Sequence, residues 1–519
     1  MKSRWLRLPL VVTVAFVVHL PALVNGYTWL DHGDVEGGAA LVPLSQLPSL
    51  FTHPYARTGF YRPLTALTLS LDAASSGVPF GYHLTNLMLH ALAAALVLLL
   101  AEALELGPLA ATGAALLFAV HTTTSLVANQ LTYRGEALLM ISLSLVLLGQ
   151  IRGRALLVGV GLLLGCFSKE TTFVLGPLLM AGLWRWHRPS RAVLAAAVAS
   201  LLVAGVVRQS VAPPWRLHVA PLSANAWLGT RLASLGHELS WLAWPWRGVL
   251  CDAVPISGVL SWRAALGAVG VAGGLWLAWK VRPFGILALL AATPMLNLVP
   301  LPRMASPHYL YVPLAFLGMG LVAWADKVGW RRWAFAALLA PLAVSSVLDS
   351  WRYRDDHALF AREVAEGPQC REAHLYLGDW LRGQGALEEA ARAYTVAAAP
   401  SEGFVSYSDV GAALTNLGVV RTEQERPADA VVALSVAYQL PADPLAHRQR
   451  AHNLAAVLLQ LGDFSQVEQL LRREAERSDP LPESLKVLAN AVGAQGREAE
   501  ARELIRRSLL LEKAAAAHP

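Results

Sequence analysis

Between Trp5 and Leu348, apolar residues come in runs close to the length that crosses a bilayer as a helix, about 20 residues, and charged residues gather in the gaps between them. One run follows Lys2, Arg4 and Arg7. Others lie near 83 to 104, 108 to 124, 136 to 151, 155 to 168, 171 to 184 and 192 to 207, then 264 to 279, 284 to 301, 309 to 325 and 333 to 348. The first run lacks a convincing small-x-small cleavage site, so it reads as an uncleaved span, and the pattern predicts about eleven spans. Past Arg371 the pattern changes to charged, alanine-rich, amphipathic helices joined by short turns. The turn glycines Gly462 and Gly496 stand 34 residues apart, Gly385 followed by Ala390 repeats the layout, and a degenerate unit surrounds Ala430. That period predicts about four tetratricopeptide-like repeats stacked as a solenoid, whose concave face suits an extended peptide or a packing partner. The expected architecture is therefore all-α: a polytopic helical membrane domain over 1–350, a linker over 351–370 and the repeat domain over 371–519.

Orientation follows from the basic residues. Lys2/Arg4/Arg7, Arg152/Arg154, Arg185/Arg188/Arg191, Lys280/Arg282 and Lys327/Arg331/Arg332 cluster in short loops, and such loops stay on the cytoplasmic side. That parity holds if the stretch from Ala226 to Pro245, which carries Arg231, His237 and Glu238, is an external interfacial helix. The N-terminus is then cytoplasmic and the repeat domain external, in the periplasm if the protein sits in a bacterial inner membrane.

With 519 residues, 55% hydrophobic and only 15% charged, the chain has too many apolar side chains for ordinary soluble domains. A purely cytosolic globular enzyme is excluded. The loop clusters account for the net charge of +6, so the expected partner is the lipid bilayer and not nucleic acid. Cys166, Cys251 and Cys370 are far apart and imply no metal spacing and no disulfide framework. There is no Walker loop, dinucleotide glycine fingerprint or HExxH, which removes ATP-driven transport, nucleotide-linked redox chemistry and zincin proteolysis.

Polar residues that the loop bias leaves unexplained converge on the external side. WLDHGDVEGG places Asp31, His32, Asp34 and Glu36 just past the first span. Carboxylates at the membrane edge are costly unless partnered or used. Either Asp31 or Asp34 can serve as a general base toward a hydroxyl, or the segment is a hydrated loop with cap residues. Arg62 after Tyr61, Arg134 beside Glu136, Lys169 beside Glu170, and Arg303 ahead of His308 and Tyr309 bring cations to the same face. Such a set suits an anionic headgroup that must be held and stabilised as it leaves, while each member alone can equally be a snorkelling or paired helix-end charge. His83, Asn86 and His90, spaced i, i+3, i+7, share one helix face, where they line a pocket or hydrogen-bond between helices. No metal site is expected, because no third well-spaced ligand accompanies them. Gly161 and Gly165 read as a close-packing pair between spans.

Taken in order, these motifs resemble the transmembrane and tetratricopeptide repeat containing O-mannosyltransferases and their bacterial relatives, of the GT-C class of lipid-linked sugar transferases. The likeness runs along nearly the whole chain. It comprises YRPL at Tyr61 to Leu64, HxxNxxxH at His83, Asn86 and His90, part of FAxHP at Phe118 to His121, RxE at Arg134 and Glu136, KE at Lys169 and Glu170, and RYLYLP at His308 to Pro313. The resemblance implies a GT-C membrane fold and inverting transfer of mannose or another hexose from a polyprenyl-phosphate donor to Ser or Thr of protein acceptors on the non-cytoplasmic face. Asp31 matches the family's base. Leu30 stands where an adjacent acid is usual, which makes Asp34 the candidate second carboxylate, and His308 replaces an arginine. Arg62, Arg134, Lys169 and Arg303 would hold the lipid phosphate; His32, Glu36, Tyr61, His83, Asn86, His90, His121, Glu136, Glu170, His308 and Tyr309 would line the pocket. No cofactor is implied beyond the donor, a divalent ion stays open, and the repeats would hold a protein or peptide acceptor. Two other readings fit the same features: a GT-C enzyme acting on a glycolipid or polysaccharide, and a non-catalytic membrane assembly or scaffold protein.

Overall fold

The computed structural model describes residues 4–517 apart from 58, 213–221, 246–249, 251–252, 299–300, 302 and 330–331; Lys2, Cys251 and Arg331 lie outside these. Among the described residues the fold is all-α, with one two-residue antiparallel ladder pairing Val254–Pro255 with Phe404–Val405. The chain divides into two compact units, Met1–Glu366 with Gly403–Val405, and Gly367–Glu402 with Ser406–Pro519.

In the first unit four described helices are long and apolar enough to cross a membrane: Pro79–Ala103, Leu131–Ile151, Arg191–Val211 and Pro307–Lys327. The 25 residues of Pro79–Ala103 reach about 37 Å, beyond a hydrocarbon core of about 30 Å. Ser190 caps Arg191–Val211 by accepting the Val193 N–H, and the helix turns Val198, Leu202 and Val206 outward, each more than half exposed. Large apolar side chains at i, i+4 and i+8 on an open face suit lipid rather than water. Pro108–Val120 and Thr122–Asn129 form a further candidate span bent by 56°. The bend falls at His121, whose backbone is extended and whose ring accepts the Thr123 N–H.

Other apolar runs come out shorter than the sequence pattern suggests. Ala155–Cys166 and Thr172–Gly182 have 12 and 11 residues, separated by the polar Lys169–Glu170 turn. The run near 284 to 301 yields the helix Phe284–Ala291 and a 3-10 turn Thr293–Leu296. The expectation of about eleven spans thus counts full-length helices together with pieces too short to cross alone. Small residues set the packing distances. A Cβ at Gly161 would meet the Ser142 carbonyl oxygen at 3.0 Å, and one at Gly165 the Ser142 hydroxyl at 2.5 Å, so this pair seats Ala155–Cys166 on Arg134–Ile151. The stretch expected as an interfacial helix forms Ala224–Ala243 and packs backbone to backbone on Trp262–Lys280, where a Cβ at Gly267 would overlap the Leu232 carbonyl.

Residues 351–370, expected as a linker, are instead folded. A 3-10 turn Trp351–Arg354 leads into the helix Asp356–Glu366. It buries Asp356, Leu359, Phe360 and Glu363, an i, i+3, i+4, i+7 stripe. Two of those four are acids, which hides the stripe from an apolar pattern.

Among the described residues the second unit contains four helical hairpins: Arg371–Gly383 with Leu387–Ala398, Val410–Glu423 with Pro427–Gln439, Pro444–Gln460 with Phe464–Ala475, and Pro482–Ala494 with Glu498–Ala517. Each turn contains one residue at positive φ: Gly385, Glu425, Gly462 and Gly496. Glycine adopts this conformation without a Cβ clash, and Glu425 marks the degenerate unit that the glycine spacing picks up only weakly. Cys370 is disulfide-bonded, a bond that the cysteine spacing did not imply. Cys166 is a buried free thiol.

Candidate functional site

Residues 25–31 run beside 129–132. Asn25 donates to Asn129 at 3.1 Å, Thr28 and Gln130 exchange bonds of 3.2 and 2.7 Å, and the Asp31 carboxylate accepts the Leu131 and Thr132 N–H groups at 3.3 and 3.1 Å. These side chains are buried, so each needs its partner. The zipper fastens the first loop to the N-terminal end of Arg134–Ile151. Within it Trp29 adopts a left-handed φ of 56°, and Asp31 opens a π-helical turn, His32–Glu36.

Burial pushes the Asp31 carboxyl up to about 8, against its two backbone donors, which favour the anion. Asp34 is half-buried and accepts the Tyr55 hydroxyl at 3.0 Å. Burial lifts it to about 6, so Asp34 gives up its proton before Asp31 does. His32 bridges Glu36, 2.5 Å from Nδ1, and Asp356, 3.0 Å from Nε2. The Asp356 bond foremost raises it to about 9, which makes it a cation with both ring nitrogens donating.

The cations expected at this end are organised by carboxylates and rings. Arg62 gives Nε and Nη2 to Glu170, at 3.0 and 2.9 Å, and lies over the Phe60 ring at 4.1 Å. That fork leaves Nη1 for another acceptor. Lys169 pairs with Glu136. Arg303 donates to the Tyr133 hydroxyl at 3.2 Å and sits 4.8 Å above the Trp29 ring. His308 contacts Tyr133 and Tyr309 ring to ring at 4.4 and 4.2 Å, lies 3.7 Å from Glu136, and is within electrostatic reach of Lys169, Arg303 and Arg62. Tyr309 donates to the Arg303 carbonyl at 3.1 Å.

Other expected site residues serve the scaffold. Arg134 is fully buried, ion-pairs with Asp72 at 2.6 Å, and donates Nε to Asn86 at 2.7 Å and Nη2 to the Tyr82 carbonyl at 3.0 Å, while its Nη1 has no hydrogen-bond partner among the described residues. This departs from its expected role as a phosphate ligand at an open face. Asn86 also donates to the Gln130 carbonyl at 3.1 Å, and His83 donates to the Gly26 carbonyl at 3.2 Å. His90 must donate Nε2–H to the Ala119 carbonyl at 3.2 Å, so its Nδ1 accepts the Tyr311 hydroxyl at 2.9 Å. His121 joins Thr123 and the Leu242 carbonyl, and the buried Tyr61 donates to the Phe51 carbonyl at 3.0 Å. The polar stripe of His83, Asn86 and His90 therefore hydrogen-bonds between chain segments. Sequence reading missed Tyr55, Asp72, Tyr133 and Asp356. For Asp72 the signal was present: an acid inside an otherwise apolar helix needs a buried base.

A cavity of about 420 Å³ lies against the loop that follows, lined by Gln46, Ser49, His53, Tyr55 and Arg62 among apolar Leu41, Val42 and Leu50. Arg62 thus has one side on Glu170 and another on open space, and Tyr55 links the same wall to Asp34. Among the described residues no group of three or more His, Cys, Asp or Glu could hold a metal ion.

No family model matches the chain. A stretch of 118 residues is 36% identical to the protein O-mannosyl-transferase Tmtc1 of Drosophila melanogaster, covering 21% of this chain and 14% of that protein's length. The crystal structure of ArnT from Cupriavidus metallidurans bound to undecaprenyl phosphate superposes with a TM-score of 0.43 at 17% identity, over 86% of this chain and 82% of that one. The sequence match carries the comparison: over part of its length the chain is similar to a protein O-mannosyl-transferase, the class of enzyme its motifs resemble.

Proposed function

We propose that this chain is an integral membrane glycosyltransferase that moves a hexose, with mannose the first candidate, from a polyprenyl-phosphate carrier to Ser or Thr hydroxyls of proteins on the non-cytoplasmic face. The observation that carries the reading is Arg62. Its guanidinium is held by Glu170 in the wall of a 420 Å³ cavity whose Tyr55 donates to Asp34, so a cation for phosphate lines the cavity and a carboxylate for a proton lies one hydrogen bond from it. The partial match to a protein O-mannosyl-transferase supports the acceptor class.

In this reading the acceptor O–H gives its proton to Asp31 as the oxygen forms its bond to the anomeric carbon. The bond from that carbon to the phosphate oxygen breaks with inversion. The polyprenyl phosphate leaves with one more negative charge, which Arg62, Lys169 and Arg303 meet. A carboxyl raised to about 8 is a base matched to near-neutral working pH. A second assignment has its own support: Asp34 is the less buried of the two and is held by a cavity residue, with Asp31 then anchoring the loop. The disulfide at Cys370 favours an oxidising compartment for that part of the chain. The four hairpins suit tetratricopeptide-like acceptor binding, which would raise the local acceptor concentration.

The test uses the full chain in detergent with polyprenyl-phosphate [³H]mannose and unfolded secretory proteins. Transfer lost in Asp31→Asn but kept in Asp34→Asn names Asp31 as the base, and the reverse pattern names Asp34. Label appearing in lipid and never in protein moves the reading to a glycolipid acceptor. No consumption of the donor by wild type, with any acceptor offered, overturns the enzyme reading.

A further inference from the structure

We infer that Asp356 and Phe360, on the helix after the last long apolar run, are positioning residues that clamp the aspartate loop in its working shape. The kinetic half of this inference rests on the function proposed above; the structural half does not.

Trp29 holds a φ of 56°, a conformation that bulky L side chains rarely adopt and that persists only where the surroundings enforce it. Four neighbours do so. The Asp356 carboxylate accepts the Trp29 N–H at 2.8 Å. Phe360, one turn along the same helix, meets the Trp29 ring edge to face at 6.0 Å and 85°. The ring also meets Tyr133 at 5.6 Å and the Arg303 guanidinium at 4.8 Å.

The second oxygen of Asp356 lies 3.0 Å from His32 Nε2. One buried carboxylate therefore grips residues 29 and 32, the two that bracket Leu30 and Asp31. Helix capping does not account for this placement. The Ala358 N–H at the start of that helix is taken by Asp355 at 2.7 Å, which leaves Asp356 to face the loop. Asp31 is thereby fixed from two directions, by the backbone of Leu131 and Thr132 at its own carboxylate and by Asp356 through its neighbours. A carboxylate that must meet a hydroxyl in line with a breaking bond is sensitive to displacements of this kind.

The experiment uses the full-length chain in detergent micelles. Amide hydrogen exchange is followed by mass spectrometry over residues 27–37, with peptides from Pro79–Ala103 as the internal reference, in wild type, Asp356→Ala, Asp356→Asn and Phe360→Leu. Steady-state transfer is measured alongside. In Asp356→Ala the loop should exchange about tenfold faster with the reference unchanged, while kcat falls about tenfold and KM for the donor stays within about twofold. Asp356→Asn keeps an acceptor for the Trp29 N–H and should lie between. Unchanged loop exchange in Asp356→Ala overturns the clamp, and faster exchange with unchanged kcat overturns the positioning role. If Asp356→Ala raises exchange in the reference peptides too, Asp356→Asn and Phe360→Leu decide by the same criteria. If wild type transfers no sugar, the proposed function fails on its own and the exchange data still decide the clamp.

Discussion

Both units carry acid–base pairs, yet the same residue types do different work in each. In the membrane unit Arg134 and Asp72 meet at 2.6 Å with side-chain exposures of 0% and 11%, and Arg62–Glu170 is partly enclosed, at 17% and 22%. In the repeat unit Glu503 and Arg506 meet at a similar 2.7 Å, but with exposures of 52% and 63%. Glu468 there joins Arg472 and Arg497 in an open network. Removing one partner of an enclosed pair strands a charge in low dielectric, whereas removing one partner of an exposed pair returns a charge to water. Distance alone therefore does not rank these pairs. Burial does.

The contrast breaks most visibly at Asp72. Asp72→Ala should destabilise the membrane unit by about 3–5 kcal/mol by leaving Arg134 unpaired, read as a lower melting temperature in detergent. Replacing both partners by Leu and Met should recover most of that loss, and wild-type melting in Asp72→Ala would show the pair to be dispensable. Next is Asp31→Asn, which should keep the fold and cut transfer about 10²- to 10⁴-fold if Asp31 is the base. Arg62→Lys follows, with donor KM rising about tenfold because lysine cannot reproduce the fork.

A pH series sharpens the same point. Asp31 goes from an ordinary 3.8 to about 8 on burial, so the folded chain holds the extra proton between those values. Its share of stability is complete below about pH 4 and is lost as pH rises through about 8. Base activity has the opposite sign, climbing over the approach to pH 8. Asp31→Asn should flatten the stability slope, and melting curves from pH 5 to 9 would show it. The smallest effect should come from Glu503→Ala, an exposed i, i+3 pair, with no measurable change in melting temperature.

How much of this was legible beforehand varies with the range of the interaction. The turns at Gly385, Gly462 and Gly496 were readable because a positive-φ turn leaves a local glycine signature. The seating of Gly161 and Gly165 was readable from their spacing on one helix face. The helix Asp356–Glu366 passed for a linker because its buried stripe includes Asp356 and Glu363. At the site, Lys169 and Glu170 stood together in the sequence, but their partners did not. Lys169 takes Glu136 and Glu170 takes Arg62, so the adjacent pair splits between two others.

By itself the sequence determined what depends on neighbours along the chain: the apolar runs, the hairpin turns, and the collection of ionisable residues at helix ends. Only the tertiary structure decided which charge is spent and which is available. It buried Arg134 on Asp72 while leaving Arg62 facing a cavity, and it brought Asp356 across 324 residues to His32. The physical reason is that a charge's energy depends on the dielectric and partners around it after packing, and no local pattern encodes those.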